Sequence, residues 1–262
     1  IGDHAFHSCN LYHVYIPKNV KTIGKNAFQD DKGSIYNLYF YGQQPKENDG
    51  VDLDIDEYAF KFCEQIKQLN IPSRVKNIKE GAFSDAEKCT KLTLNEGLET
   101  IGALAFAAKV ESSTYGSAIY TNLVIPSTVR EIGSKAFSNV KKLDTLLIKP
   151  TLYQNVNDGN TCIIANDAFA GTKIGAVKFS NLVTPEFKFS FLDNDGGTLD
   201  YGIISEFKQK VRFIEPSSIP SEIKIKVGGI EKTYPIKKLG DELFKNNKDL
   251  KKVTIPNSIT QI

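Results

Sequence analysis

Apolar residues return along this chain in two short rhythms that always follow each other in the same order. The first is a period-two pair such as Leu69-Asn-Ile71, followed by Pro72. Alternation at every second position predicts a short strand with two side chains facing a core. A proline, lacking an N–H, then ends the ladder and turns the chain. The second rhythm runs through Val75 and Ile78 at every third position, which predicts a bend of three residues per turn. It closes on Ile78-Lys-Glu-Gly-Ala82-Phe83. That piece predicts a turn and a short helical segment on the side opposite the strand. Its Ala is small where backbones pass closely, and its Phe fills the gap between one unit and the next.

The Ala-Phe pair recurs at Ala5-Phe6, Ala27-Phe28, Ala59-Phe60, Ala82-Phe83, Ala105-Phe106, Ala136-Phe137 and Ala168-Phe169, with Leu243-Phe244 as a late variant. An aliphatic residue stands four positions before each: Ile1, Ile23, Ile55, Ile78, Ile101, Ile132, Ile164 and Leu239. Successive alanines are 22, 32, 23, 23, 31 and 32 residues apart. The short spacings define the unit. The long ones add insertions at 42–54, 108–119 and 150–163. A unit of this size cannot bury its apolar face alone, but a stack of units can. The strand pieces then line up as a parallel sheet along one face. Residues 1–179 therefore predict a repeat solenoid. Residues 180–235 carry alternating runs such as Phe187-Lys-Phe189-Ser-Phe191, separated by Asp-Asn-Asp-Gly-Gly and Pro-Ser-Ser-Ile-Pro, and predict β-hairpins in a small spacer unit. The repeat restarts at Tyr234-Pro-Ile236, so 236–262 predicts the start of a second block.

The composite pattern I-G-x-x-A-F-x-x-C-x-x-L-x-x-[IVL]-x-I-P-x-x-V-x-x-I-G is carried best by Leu123-Val-Ile125-Pro126-Ser-Thr-Val129 and Ile132-Gly133-Ser-Lys-Ala136-Phe137. It resembles the BspA-like, or Treponema-type, leucine-rich repeat family over about residues 1–179 and 236–262. Its period in the low twenties lies in the leucine-rich-repeat range. The resemblance implies an α/β solenoid, a right-handed leucine-rich-repeat stack with a short parallel sheet on one face. It also implies a secreted or cell-surface, adhesin-like module that binds host or cell-surface macromolecules, protein or glycan, without catalysis. Asn95 stands where the pattern has Pro, and Leu243 where it has Ala.

Composition narrows the picture further. The formal net charge is +2, from 33 basic and 31 acidic residues, which gives no basic face for nucleic acid. No apolar run approaches the roughly 20 residues that span a bilayer. The chain opens inside a repeat, lacks Met and shows no signal peptide, the expectation being a processed piece of a longer protein. Its four cysteines, Cys9, Cys63, Cys89 and Cys162, have neither C-x-x-C nor metal-ligand spacing. Cys9 and Cys63 each follow a repeat Phe by three positions and so predict small core-filling residues. They are two coils apart, at roughly 4.8 Å per coil, too far for the roughly 5.5 Å Cα separation of a disulfide.

Chemistry-bearing clusters are sparse. His4, His7 and His13 are the only histidines. With Asp3 and Cys9 they sketch a metal site, but repeat position puts His4 and His13 outward, among solvated residues. With no His beyond position 13, a Ser/His/Asp or Cys/His centre is unsupported. Asp52, Asp54 and Asp56 share one side of an extended segment. Asp193-Asn-Asp195-Gly resembles the front of a calcium loop but lacks its closing Glu. Both read as turns or solvated faces. Glu186, Asp193, Asp195, Asp200 and Glu206 form no recognisable pair for a carbohydrate- or peptide-processing enzyme, the weakest alternative. No catalytic, cofactor or metal site is implied. The interaction candidate is the outward position of each strand, which puts Tyr15, Tyr39, Asn70, Thr93, Val124 and Leu147 in a row, flanked at its start by Tyr12, Tyr36 and Tyr41. Exposed tyrosines supply large contact area at low entropy cost together with a hydroxyl. The same residues would also suit a strand by propensity alone, as in a passive stalk of a larger surface protein.

Overall fold

The computed structural model describes residues 1–30, 34–41, 50–108, 118–150, 152–153, 162–179, 181–183, 187–193, 199–207, 217–227, 230–245 and 253–262. The insertion segments 42–49, 109–117 and 154–161 lie outside the described residues. Contacts divide the chain into two compact units, Ile1–Pro150 with Cys162–Val177, and Thr151–Thr161 with Lys178–Ile262.

The first unit is a stack of coils, each contributing to three sides. On one side stand the period-two strands His13–Ile16, Asn37–Phe40, Gln68–Ile71, Lys91–Leu94, Ile119–Ile125, Lys142–Ile148 and Ile174–Phe179. Their burial alternates, so that Val14, Ile16, Leu38, Phe40, Leu69 and Ile71 point into the core. The second side differs from the expected bend. Thr22–Ile23, Leu53–Ile55, Val75–Ile78, Thr100–Ile101, Glu131–Ile132 and Ile163–Ile164 form a second parallel sheet, six strands in sequence order without interruption. The two-residue strands are too short to show an alternation, which is why their apolar spacing reads as a bend.

The third side corrects the expected helical segment. Among the described residues there is no helix, and Ile-Gly-x-x-Ala-Phe is a run of turns. In the coil of Phe83, Ala82 and Ser84 donate backward to the carbonyls of Lys79 (3.3 Å) and Gly81 (2.9 Å). Gly81, Phe83 and Asp85 donate instead across to Ala103, Ala105 and Ala107 of the next coil, each at 2.8 Å. Alternate N–H groups thus face alternate partners, and every one of these donors is satisfied without a helix. The alternation requires left-handed backbone before the Ala, at His4, Asn26, Tyr58, Gly81, Leu104 and Lys135, and again two residues after the Phe, at Ser8, Phe62, Asp85 and Asn139. Single left-handed residues interrupt an α-helix.

This third ladder sets the core. Ala27, Ala59, Ala82, Ala105, Ala136 and Ala168 are fully buried. The rings of Phe6, Phe28, Phe60, Phe83, Phe106, Phe137 and Phe169 form one file, with neighbouring centroids 5.0 to 5.5 Å apart and planes within 11° of parallel. The Gly after the aliphatic residue answers to the same close passage: a Cβ on Gly133 would stand 2.5 Å from the Ala103 nitrogen. Where Asp56 and Lys79 replace that Gly, they form an ion pair at 2.5 Å. Asp54 accepts from the Asn77 amide at 2.7 Å and Asp52 lies 3.7 Å from the Lys76 ammonium, so the three aspartates are each engaged by the following coil. Cys63, Cys89 and Cys162 are buried, but Cys9 is exposed, contrary to the expected core-filling role: its coil packs here on that of Phe28 alone, and Phe6 is exposed with it.

The second unit holds a six-stranded mixed sheet. Phe187–Asp193 and Leu199–Phe207 pair antiparallel, as do Glu222–Val227 and Ile230–Leu239. The last strand also pairs in parallel with Leu199–Phe207, and it crosses position 235, where the sequence pattern changes. Beyond it, Leu243 donates to Gly240 (3.3 Å) and Lys245 to Glu242 (2.9 Å), with Glu242 left-handed, which is the repeat turn again.

Candidate interaction face

The first strand row positions the tyrosines. Parallel register places Tyr15 directly against Tyr39, Asn70 against Thr93, and Val124 against Leu147. Because Val14, Ile16, Leu38 and Phe40 are fixed inward, period two forces Tyr15 and Tyr39 outward. Tyr12, Tyr15, Tyr36, Tyr39 and Tyr41 are between 41% and 60% exposed. They are paired across coils: Tyr15 stacks on Tyr39 at 5.0 Å and 21°, Tyr12 on Tyr36 at 5.8 Å and 10°. Two aromatic columns therefore stand in solvent, one coil step long. Asn37 and His13 continue the match at the strand start, 2.9 Å apart.

The row is not continuous. His13–Ile16 pairs with Asn37–Phe40, and Gln68–Ile71 with Lys91–Leu94, but no strand pairing joins the two couples. A cleft of about 420 Å³ opens there. Its walls are Tyr39, Gln68, Asn70, Lys91, Thr93 and Asn95, and its apolar floor is Leu38 and Leu69. Asn95 donates to the Asn70 side-chain oxygen at 2.8 Å and to the Ile71 carbonyl at 2.7 Å. A proline, which other coils carry at this position, could do neither. The two breaks in the row follow the coils that bear the insertions 42–54 and 108–119, whereas the row stays paired across the insertion 150–163, so a long spacing alone does not mark a break. Gln68, Lys91 and Asn95 were not legible as site residues, since only the cleft brings them to Tyr39.

The other candidates do not assemble. His4 and His13 are exposed, and His7, half-buried, lies 3.1 Å from Ser8. Among the described residues no three His, Cys, Asp or Glu side chains converge on a metal position. Glu186 and Asp195 lie outside the described residues, and Asp193, Asp200 and Glu206 fall on the antiparallel pair of the second unit. Among the described residues no helix is long and apolar enough to cross a membrane.

Short strands stacked coil on coil in parallel, with one ring and one small residue per turn, define a leucine-rich-repeat solenoid. The chain belongs to the BspA-type leucine-rich repeat family, whose profile matches six copies over residues 1–43, 108–196 and 203–262. The unmatched stretch between them carries the same coils, with Phe60, Phe83 and Phe106 in the ring file. Among curated proteins none matches. Solved structures with similarity include a leucine-rich cell surface protein of Faecalibacterium prausnitzii (19% identity, TM-score 0.39, covering 100% of this chain and 60% of that one). A leucine-rich repeat protein of Bacteroides ovatus (15%, 0.28, 100% and 77%) and the pneumococcal vaccine antigen PcpA (13%, 0.27, 99% and 64%) are also similar. The chain thus spans 60% of the length of the Faecalibacterium protein.

Proposed function

We propose that this chain is a non-enzymatic recognition module of a secreted or cell-surface protein. It binds a host or cell-surface macromolecule through the first strand row, Tyr12, Tyr15, Tyr36, Tyr39, Tyr41, Asn70 and Thr93. The observation that carries this reading is the pair of tyrosine columns, stacked in register and left in solvent beside a cleft. Stacking fixes the rings before any partner arrives, so little side-chain entropy is lost on contact. Family membership supports the absence of catalysis and the surface location. Within the same reading the stack winds right-handed, as parallel crossovers do. The turn at Gly240 to Lys245 supports a second repeat block beginning at 236, with 180–235 as a β-rich spacer.

The test is the binding of labelled protein to cultured epithelial cells, followed by flow cytometry. The double variant Tyr15→Ala/Tyr39→Ala, shown folded by circular dichroism, is expected to lose more than about tenfold in apparent affinity, as truncation of central aromatic contacts does. Equal binding by the variant, or no binding by the parent, would favour a passive stalk.

A further inference from the structure

We infer that the cleft between Asn37–Phe40 and Gln68–Ile71 is a saccharide subsite that takes an uncharged pyranose. This inference rests on the recognition reading above and names the ligand class of that same face. A pyranose has two kinds of surface, a patch of C–H groups on its ring face and a rim of hydroxyls that each donate and accept. The cleft offers the complement of both. Tyr39 is held by stacking on Tyr15 and borders the cleft, so its ring is a fixed platform for the C–H patch. Leu38 and Leu69 extend the apolar floor.

The rim is matched by a polar set of fixed direction. Asn95 spends its amide hydrogens on the Asn70 oxygen and the Ile71 carbonyl, which leaves its own oxygen as an acceptor. Asn70 then accepts through its oxygen and keeps its amino group as a donor. A donor and an acceptor side by side suit two neighbouring hydroxyls. Gln68 and Thr93 add groups that can take either role, and Lys91 adds a donor. Among the described residues Lys91 is the only charged side chain on the walls, too little to define a site for a strongly anionic ligand. The volume of about 420 Å³ lies within the roughly 300–1,000 Å³ usual for small-ligand sites.

The experiment is a microarray of immobilised neutral oligosaccharides probed with the full chain. Calorimetric titration of each positive sugar follows, into the parent and into Tyr39→Ala, Tyr39→Phe and Asn70→Ala. At least one neutral sugar is expected to bind. Tyr39→Ala and Asn70→Ala are expected to weaken it about tenfold or more, while Tyr39→Phe, which keeps the platform, stays within about twofold of the parent. The assignment is overturned if no neutral sugar binds the parent, or if binding sugars are indifferent to both Ala variants. Periodate treatment of the epithelial cells separates this result from the wider reading. If cell binding survives oxidation of the glycans but is lost in Tyr15→Ala/Tyr39→Ala, the partner is a protein surface and the saccharide assignment alone falls. If cell binding is unaffected by both treatments, the recognition face falls with it.

Discussion

The ring of Phe60 lies 5.1 Å from that of Phe83, with their planes 3° apart, and the same distance separates Phe60 from Phe28 on its other side. Phe60 is fully buried, so truncation removes contacts to two coils at once. Phe60→Ala is expected to cost about 3–5 kcal/mol, the range for a large aromatic removed from a packed core. Because stacked coils are stabilised by their neighbours, the loss should lower the urea midpoint of the whole first unit. Phe6→Ala, on the outermost coil and partly exposed, should lower it much less. Equal midpoint shifts for the two variants would show that the ring file does not carry the stack.

Arg74 predicts a different kind of loss. Its side chain is buried and among the described residues bonds no carboxylate; Nε donates to the Tyr41 carbonyl (3.3 Å), Nη1 to Val20 (3.0 Å) and Val51 (3.3 Å), and Nη2 to Pro17 (3.1 Å). It thereby ties the first coil to both ends of the chain segment between Tyr41 and Val51. Removing it leaves four partly buried carbonyls without this donor, at about 1–3 kcal/mol for each that water cannot reach. Arg74→Ala should destabilise by at least about 2 kcal/mol in a urea titration. Arg74→Lys should recover only part of that, because one ammonium cannot span four acceptors in a planar fork.

Much of this architecture is legible in the sequence, and the parts that are not share a cause. Ala82-Phe83 and its copies announce the ring file, and the alternation around Tyr15 and Tyr39 announces which face they share. Those readings need only one coil and its period. The turn ladder is hidden because its left-handed residues include Tyr58, Leu104 and Lys135, side chains with no preference for that backbone. The second sheet is hidden because Thr22–Ile23 and its counterparts are too short to alternate. Arg74, Gln68, Lys91 and Asn95 acquire their roles only from neighbours a coil or more away, and the exposure of Cys9 likewise depends on which coils pack beside its own.

The thiols give a direct chemical check. Burial pushes the Cys63 thiol well up, with the Asp30 charge adding to it. Burial likewise raises Cys89 to about 11, against hydrogen bonds that pull the other way, and Cys162 to about 12. Thiolate is the reactive form, so these three groups are doubly protected. In native protein at pH 8, Ellman's reagent should titrate one thiol quickly, and Cys9→Ser should abolish that phase. The remaining three should react only in denaturant. Two or more fast thiols in the native protein would contradict the packing of these coils.

Stability should form a plateau in pH, with each edge traceable to named pairs on the coil surfaces. At the acid edge, the hydrogen bond from Lys25 at 2.8 Å, followed by its charge, holds the Glu57 carboxyl below the ordinary 4.5. A depressed carboxyl contributes stability above its unfolded value and loses it as pH falls through the folded one. At the alkaline edge the same bond raises Lys25, and the Asp56 bond raises Lys79, above the ordinary 10.5. The Glu80 bond, followed by burial, pushes Tyr58 up to about 12. Raised groups contribute fully below their unfolded values and lose that contribution as pH climbs through the folded ones. The plateau therefore runs from about pH 5 to about pH 9. The pairs are exposed, so the slopes should be shallow and should flatten further in 1 M salt. Lys25→Gln should return the Glu57 carboxyl to its ordinary range in a carbon-13 NMR titration and move the acid edge with it. A Glu57 titration unchanged in that variant would show that the pair does not form in solution.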